Sequence, residues 1–294
     1  MPQTMKTSIE NARQLLKQLN LPDMPEEILM LREELTLTNP DPTKLAAILS
    51  RNPILLGDFL CLSNKLLKRE ADQILLDAQA AVNLLGIKEI ESIYMTTYFS
   101  TYLPTSKSHQ KLIIHSKRAA MAATELSYWV NGVGQSEAYL ITFMQNLGAL
   151  YMSSKKAHYL EKFIYPQQLH PFRDFIEEEA HFHTTHAHLG SLIAHHWKLG
   201  SLLSKCILLH HQSSLTRLRD YDKQIAQRVA LIHIANGLVY KQFEEECGQE
   251  EMSELQDSID KARQFLDLPE NAIKAAISVL QKWGNDCCTH SASH

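Results

Sequence analysis

The sequence predicts an all-α protein, and three observations predict it. Apolar residues recur at intervals of three and four along nearly the whole chain, which keeps them on one face of a 3.6-residue helix. The alternation of two that marks half-buried strands is nearly absent. Proline and glycine punctuate the periodic stretches where helices should break.

Taken in chain order, Pro25 opens a helix at MPEEILMLREEL, and Asp41-Pro42 is a cap followed by a first-turn proline. Gly86 ends AQAAVNLLG, and the next helix, IKEIESIYMTTYFSTYL, is closed by Pro104. A polar joint at 105–109 precedes an alanine-rich helix over 107–130 suited to close packing. Asn131-Gly132-Val133-Gly134 is a turn, after which EAYLITFMQNLGALYM, residues 137–152, predicts one buried apolar helix. Further helices are expected over 172–184, 186–198, 201–212 and 221–243. The acidic run from Glu244 to Glu254 is expected to be a solvated connector to a last helix and a ragged tail. The expected division is therefore an N-terminal helical subdomain (1–105), a second helical subdomain (106–243), and a connector, C-terminal helix and tail (244–294).

Composition narrows the function classes. Hydrophobic residues make up 45% and charged residues 21%, the balance of a globular chain. With 29 Lys and Arg against 33 Asp and Glu, the net charge is −4. Nothing overall favours nucleic acid or an anionic membrane as partner. The first twenty residues lack the apolar stretch of a secretory signal, and no segment offers about 18 uninterrupted apolar residues, so a cytoplasmic protein that spans no membrane is expected. The cysteines at 61, 206, 247, 287 and 288 are odd in number and lack CxxC spacing. They read as free thiols rather than a disulfide framework or zinc ribbon, and Cys287-Cys288-Thr289-His290 reads as chance ligands in the tail.

Histidine is the anomaly. Of fifteen, eight fall between His181 and His211. On a helical wheel His186 and His196 are placed on the face of Leu189, Ile193 and Trp197, while His181, His188 and His195 form another stripe and read as surface imidazoles. His186 is then either a hydrogen-bonded core histidine or a ligand joined by residues from other helices. His115 shares a face with Leu112, Ala119 and Ala122; Asn146 lies among Leu140, Phe143 and Leu147; Asn236 shares a face with Ile232 and His233.

The order of these groups, His115, Gln145-Asn146, His186, His210-His211 and Asn236, resembles the metal-ligand order of HD-type phosphohydrolases. HSKRAAMAATELS is similar to the first ligand helix of that superfamily, FMQNLGALYM to its His-Asp segment, and EEAHFHTTHAHLGSLIAHHWKLGSLLSKCILLHHQ to the segment ending in a His-His pair, with Gly148, Gly190 and Trp197 in register. LPDMP, NPDPTKLAAILSRNPILLGDFLCLSN and VNLLGIKEI resemble the N-terminal bundle of one branch, the HDOD (HD-related output domain) family. The resemblance runs from about 20 to 240. Asn52, Lys65 and Gly200 depart from the residues common at their positions.

The resemblance implies a multi-helical HDOD architecture, an N-terminal bundle packed on an HD-like helical subdomain. It also implies a site that has lost its chemistry. Working HD enzymes hold one or two divalent cations on histidines and aspartates, which activate water and neutralise phosphate. Here amides, Gln145, Asn146 and Asn236, stand where a histidine and two aspartates are implied. No catalytic residue and no cofactor are expected. If an ion such as zinc binds, His115, His186, His210 and His211 are the candidate ligands. No GxSxG elbow and no phosphate-cradling glycine motif offers another chemistry.

The implied role is a non-enzymatic bacterial signalling module that works through protein partners, with Tyr94, Tyr98 and Tyr102 as an aromatic stripe that is either packing or interface. Two alternatives stay open. One is a metal-dependent phosphohydrolase with a rebuilt histidine site; the other is a nucleotide or small-molecule sensor that uses the vacated pocket with Lys117 and Arg118 nearby.

Overall fold

A computed structural model of the chain describes residues 3–70, 73–103, 106–243 and 253–285. They form helices and no strand. In order these are α1 (Gln3–Lys17), α2 (Glu26–Leu35), α3 (Pro42–Leu49), α4 (Pro53–Leu66), α5 (Ala78–Leu84), α6 (Ile87–Tyr102), α7 (Lys107–Ser127), α8 (Gln135–Met144) and α9 (Leu147–Ser153). A π-helical turn at Leu160–Ile164 leads into α10 (Tyr165–Leu169), followed by α11 (Arg173–Phe182), α12 (His186–His196), α13 (Ser201–Leu209), α14 (Leu215–Tyr221), α15 (Lys223–Phe243), α16 (Ser253–Leu266) and α17 (Glu270–Trp283). No single helix among the described residues is long and apolar enough to cross a membrane.

The chain divides into two compact units, one of residues 22–103 and 134–140, the other of 1–21, 104–133 and 141–294. The smaller holds α2 to α6. The starts of α3, α4 and α5 are set by side chains that satisfy orphan backbone donors. Asp41 accepts from the Thr43 amide at 2.8 Å, Asn52 from Leu55 at 3.2 Å, and Asp77 from Ala80 at 2.8 Å. Asn52 thus caps α4 as an aspartate would. The loop before α5 is clamped by Asn64, which donates to the Leu75 carbonyl at 3.0 Å and accepts from its amide at 2.7 Å. Of the tyrosine stripe, Tyr94 is fully buried edge-on to Phe59, Tyr98 is buried, and only Tyr102 is half exposed. Packing explains most of it.

In the larger unit the long helices α7 and α15 lie against each other, and α16 and α17 pack on that pair. Gly237 of α15 lets α16 approach, since a Cβ there would fall 2.6 Å from the Ile259 side chain. Arg118 ties α17 down. Its Nε donates to the Gly284 carbonyl at 2.9 Å and its guanidinium lies 3.6 Å from the Phe243 ring centre.

Helix α12 is enclosed by α9, α13 and α1. The α9 contact is backbone on backbone. A Cβ on Gly148 would fall 2.6 Å from the Gly190 amide nitrogen and 2.9 Å from the His186 carbonyl carbon. These two glycines seat His186, and a side chain at 148 would drive the helices apart.

Several expectations are corrected. The expected subdomain 1–105 gives its first helix to the larger unit, because Ser8 donates to Glu179 at 2.7 Å and Asn11 to the His183 carbonyl at 3.0 Å. The expected separate segment 244–294 does not stand apart in its described part, since α16 and α17 bury Leu255, Ile259, Ala276 and Leu280 in the same core. Residues 244–252 of the acidic run, with Cys247, and the tail cysteines Cys287 and Cys288 lie outside the described residues. The single helix expected over 137–152 is broken at Gln145-Asn146, where Asn146 takes φ −95°, ψ 15°. His188, expected at the surface, is buried and bonded through Nδ1 to Thr185 Oγ1 at 2.8 Å. His196, expected to share the inward face of His186, is exposed, since ten residues at about 100° each leave it roughly 80° away.

Candidate functional site

A small cleft in the larger unit is lined by His115, Gln145, Asn146, His210, His211 and Asn236, among others. His186 lies fully buried beside it, its Nε2 3.2 Å from Nε2 of His210. The sequence-predicted residues therefore gather in one region, but they fall into two groups with different chemistry.

The first group is the amides. Gln145 Nε2 donates to Asn236 Oδ1 at 2.9 Å, and Asn236 Nδ2 donates back to Gln145 Oε1 at 2.8 Å. His115 Nε2 joins the same Asn236 oxygen at 3.3 Å. Two amides in reciprocal pairing use one donor and one acceptor each on one another. The break between α8 and α9 turns Gln145 toward α15, and Asn146 lines the cleft beside it.

The second group is three imidazoles, one ring nitrogen of each lying within 4.8 Å of the other two in His186, His210 and His211. Each has its Nδ1 engaged elsewhere. His210 Nδ1 meets the Ile207 carbonyl at 2.7 Å and His211 Nδ1 the Pro171 carbonyl at 2.6 Å. Carbonyls only accept, so both Nδ1 atoms carry hydrogen and both Nε2 atoms present lone pairs. His186 Nδ1 lies 2.8 Å from Glu178 Oε2, an acceptor as well. Burial, with neighbouring imidazoles adding to it, pushes His210 and His211 well below the usual histidine range. His233 fixes the corner from behind, donating from Nε2 to the His210 carbonyl at 2.8 Å, and burial brings it down to about 4.

Glu178 is the residue that sequence reasoning missed. It is fully buried at the inner face of α11. Its Oε1 accepts from the His186 amide at 2.6 Å and from the Tyr159 hydroxyl at 2.5 Å, while Oε2 accepts from Gln167 Nε2 at 2.9 Å. Burial pushes this carboxyl up, but His186 and the hydrogen bonds from His186, Tyr159 and Gln167 outweigh it and hold it below the ordinary range. In sequence it sits in Glu177-Glu178-Glu179, which looks like a solvated run. The usable signal was Asp174 four residues earlier, on the same face and also buried. Phe175 closes the wall, stacked on His211 with ring centres 4.4 Å apart and edge-on to His186.

The donor set decides which ions fit. A carboxylate-bridged cation pair does not: the positions implied for its bridging aspartates are amides, with Asn236 turned onto Gln145 and His115. A single borderline ion on nitrogen donors does fit the imidazole group. Phosphate anchoring also lacks support, because Arg118 is committed to the α17 end and neither Lys117 nor Arg118 lines the cleft.

An all-helical unit that gathers histidines from several helices around one cleft defines the class: an HD-like helical domain. The chain belongs to the HDOD family, whose model, described as the HDOD domain, matches residues 21–213. Among curated proteins no sequence matches it. Solved structures share the fold at low identity. An HDOD domain protein of unknown function from Geobacter sulfurreducens aligns with a TM-score of 0.67 at 17% identity, covering 97% of each chain. A Shewanella amazonensis SB2B protein provisionally named a phosphohydrolase aligns at 0.67 and 15%, covering 94% of this chain and 96% of its own. A Marinobacter aquaeolei VT8 protein provisionally named a signal transduction protein aligns at 0.59 and 14%, over 93% of this chain and 66% of its own.

Proposed function

We propose that the chain is a non-hydrolytic HDOD signalling module of the bacterial cytoplasm that acts by contact with protein partners. The observation that carries this reading is the closed amide pair. Gln145 and Asn236 satisfy one another at 2.9 and 2.8 Å where a metal-bound aspartate would stand. Without a bridging carboxylate there is no second cation to clamp a phosphoryl group and no anionic anchor for an activated water. Glu178 cannot substitute, since both of its oxygens are taken by buried partners. Family membership supports the signalling half of the reading, and the names borne by the structural relatives include both a signal transduction protein and a phosphohydrolase.

The test is a phosphodiesterase assay on the full chain with Mn²⁺, Fe²⁺ or Zn²⁺, using bis(p-nitrophenyl) phosphate and cyclic dinucleotides. Turnover no greater than that of His210→Ala is expected, and metal-dependent turnover that His210→Ala abolishes overturns the reading. Affinity capture from the source organism should also recover a partner that rebinds in purified form. Failure to enrich any protein over a scrambled-bait control counts against the contact mechanism.

A further inference from the structure

We propose that His186, His210 and His211 form a mononuclear, all-imidazole site for a borderline divalent ion such as zinc, with Glu178 and the carbonyls of Ile207 and Pro171 as positioning groups and His115 outside the ligand set. This replaces the carboxylate-bridged cation pair that the superfamily implies, which the donor set here does not fit.

The geometry points there in three steps. First, the Nε2 atoms of His186 and His210 face each other at 3.2 Å, deep in the protein. His210 has its hydrogen on Nδ1, because that atom meets a carbonyl. With His186 Nδ1 on a carboxylate, two lone pairs would meet head-on unless a proton or a cation lies between them. Second, the separation suits a cation. At a Zn–N distance of about 2.0–2.1 Å, two tetrahedral ligands have their nitrogens roughly 3.3–3.4 Å apart. His211 offers a nitrogen within 4.8 Å of both. Third, every imidazole is already oriented from behind by an acceptor, one of them the buried carboxylate of Glu178. Metal sites fix ligand tautomer and raise ligand basicity in this way.

His115 is excluded by its own bond to Asn236. A fourth position would open toward the cleft, where Gln167 Oε1, nine-tenths buried or more, has no hydrogen-bond partner among the described residues. A water or small donor held by the ion could satisfy it.

The experiment uses the full chain made without a histidine tag, stripped by chelator and titrated with Zn²⁺ and Co²⁺. One ion per chain is expected, with visible Co²⁺ bands of a low-coordinate site and no near-ultraviolet thiolate charge transfer. A Cys287→Ser/Cys288→Ser chain should behave identically. His186→Ala, His210→Ala and His211→Ala should lose binding, whereas His115→Ala should keep it. Glu178→Gln should weaken affinity about 10- to 100-fold and make binding more pH-dependent while retaining the cobalt bands. Should a histidine variant fail to fold, the wild-type stoichiometry decides alone: below about a tenth of an ion per chain the site does not exist. Thiolate bands, or binding that survives His186→Ala and His211→Ala, also overturn it. Zinc binding without hydrolysis keeps both readings, and zinc-dependent hydrolysis keeps the site but ends the non-hydrolytic function.

Discussion

Glu178 holds His186 twice, by the backbone and by the ring. Its Oε1 accepts from the His186 amide at 2.6 Å and its Oε2 lies 2.8 Å from Nδ1, with neither residue exposed. The carboxylate also terminates Tyr159 and Gln167, so it is the single acceptor for four donors. Removing a buried carboxylate that terminates several donors leaves each of them unsatisfied and typically costs about 3–5 kcal/mol in all. Glu178→Ala should therefore lower the unfolding free energy by that amount in urea titrations. A loss below about 1 kcal/mol would contradict the network.

Acid should weaken the fold through histidines that are neutral when folded. His233 has a folded value of about 4 against 6.5 for the free side chain. Between those values the unfolded chain binds the extra proton, so stability falls as pH falls from 6.5 toward 4. At pH 5 the deficit from His233 alone is about 2 kcal/mol. His233→Gln, which can still donate to the His210 carbonyl, should flatten that slope by one proton. Glu178 acts lower down, since a depressed carboxyl stabilises above its unfolded pKa and that contribution is lost as pH drops through the folded one. Urea midpoints at pH 7, 6, 5 and 4.5 test the histidine slope, and further points below pH 4.5 test the carboxylate.

Asn236→Asp should destabilise at neutral pH. The carboxylate can accept from Gln145 and His115, but it leaves Gln145 Oε1 facing a charge with no donor. The cost expected is about 1–3 kcal/mol. Protonating the new carboxyl restores a donor, so the deficit relative to the parent chain should shrink on acidification. A deficit that grows between pH 7.5 and 5 would refute the pairing.

Gly148→Ala puts a methyl group into the backbone of α12, 2.6 Å from the Gly190 nitrogen. No rotamer relieves a clash between Cβ and backbone. A loss of about 3 kcal/mol or more, or loss of soluble protein, is expected.

The fold class was legible because burial writes itself into apolar spacing, and the grouping of His115, Gln145, Asn146, His210, His211 and Asn236 was legible from their order. What spacing could not carry was the difference between continuing a helix and breaking it. EAYLITFMQNLGALYM keeps its apolar rhythm straight through Gln145-Asn146. The break is set by partners on other helices: Gln145 turns to pair with Asn236 of α15, and Gly148 must meet α12. Glu178 and His188 failed for a related reason. A wheel assigns one inward face, whereas α12 is packed by α9, α13 and α1, and a carboxylate is buried only if its partners arrive from elsewhere in the chain.

The close approach of α16 to Gly237 has a bearing on how the molecule ages. Asn236-Gly237 is a dipeptide prone to cyclise and lose its amide, and here that loss would put a carboxylate into the cleft. Cyclisation needs the Gly237 nitrogen free to attack the Asn236 side chain. Within α15 the backbone is held helical, and Asn236 Oδ1 and Nδ2 are both engaged. Asn131-Gly132 has no such shelter, lying exposed in a turn with Gly132 at φ +83°. On prolonged storage the one-dalton mass gain should therefore accumulate at Asn131 while Asn236 stays an amide, so that the neutrality of the pocket is protected chemically by the same helix that positions it.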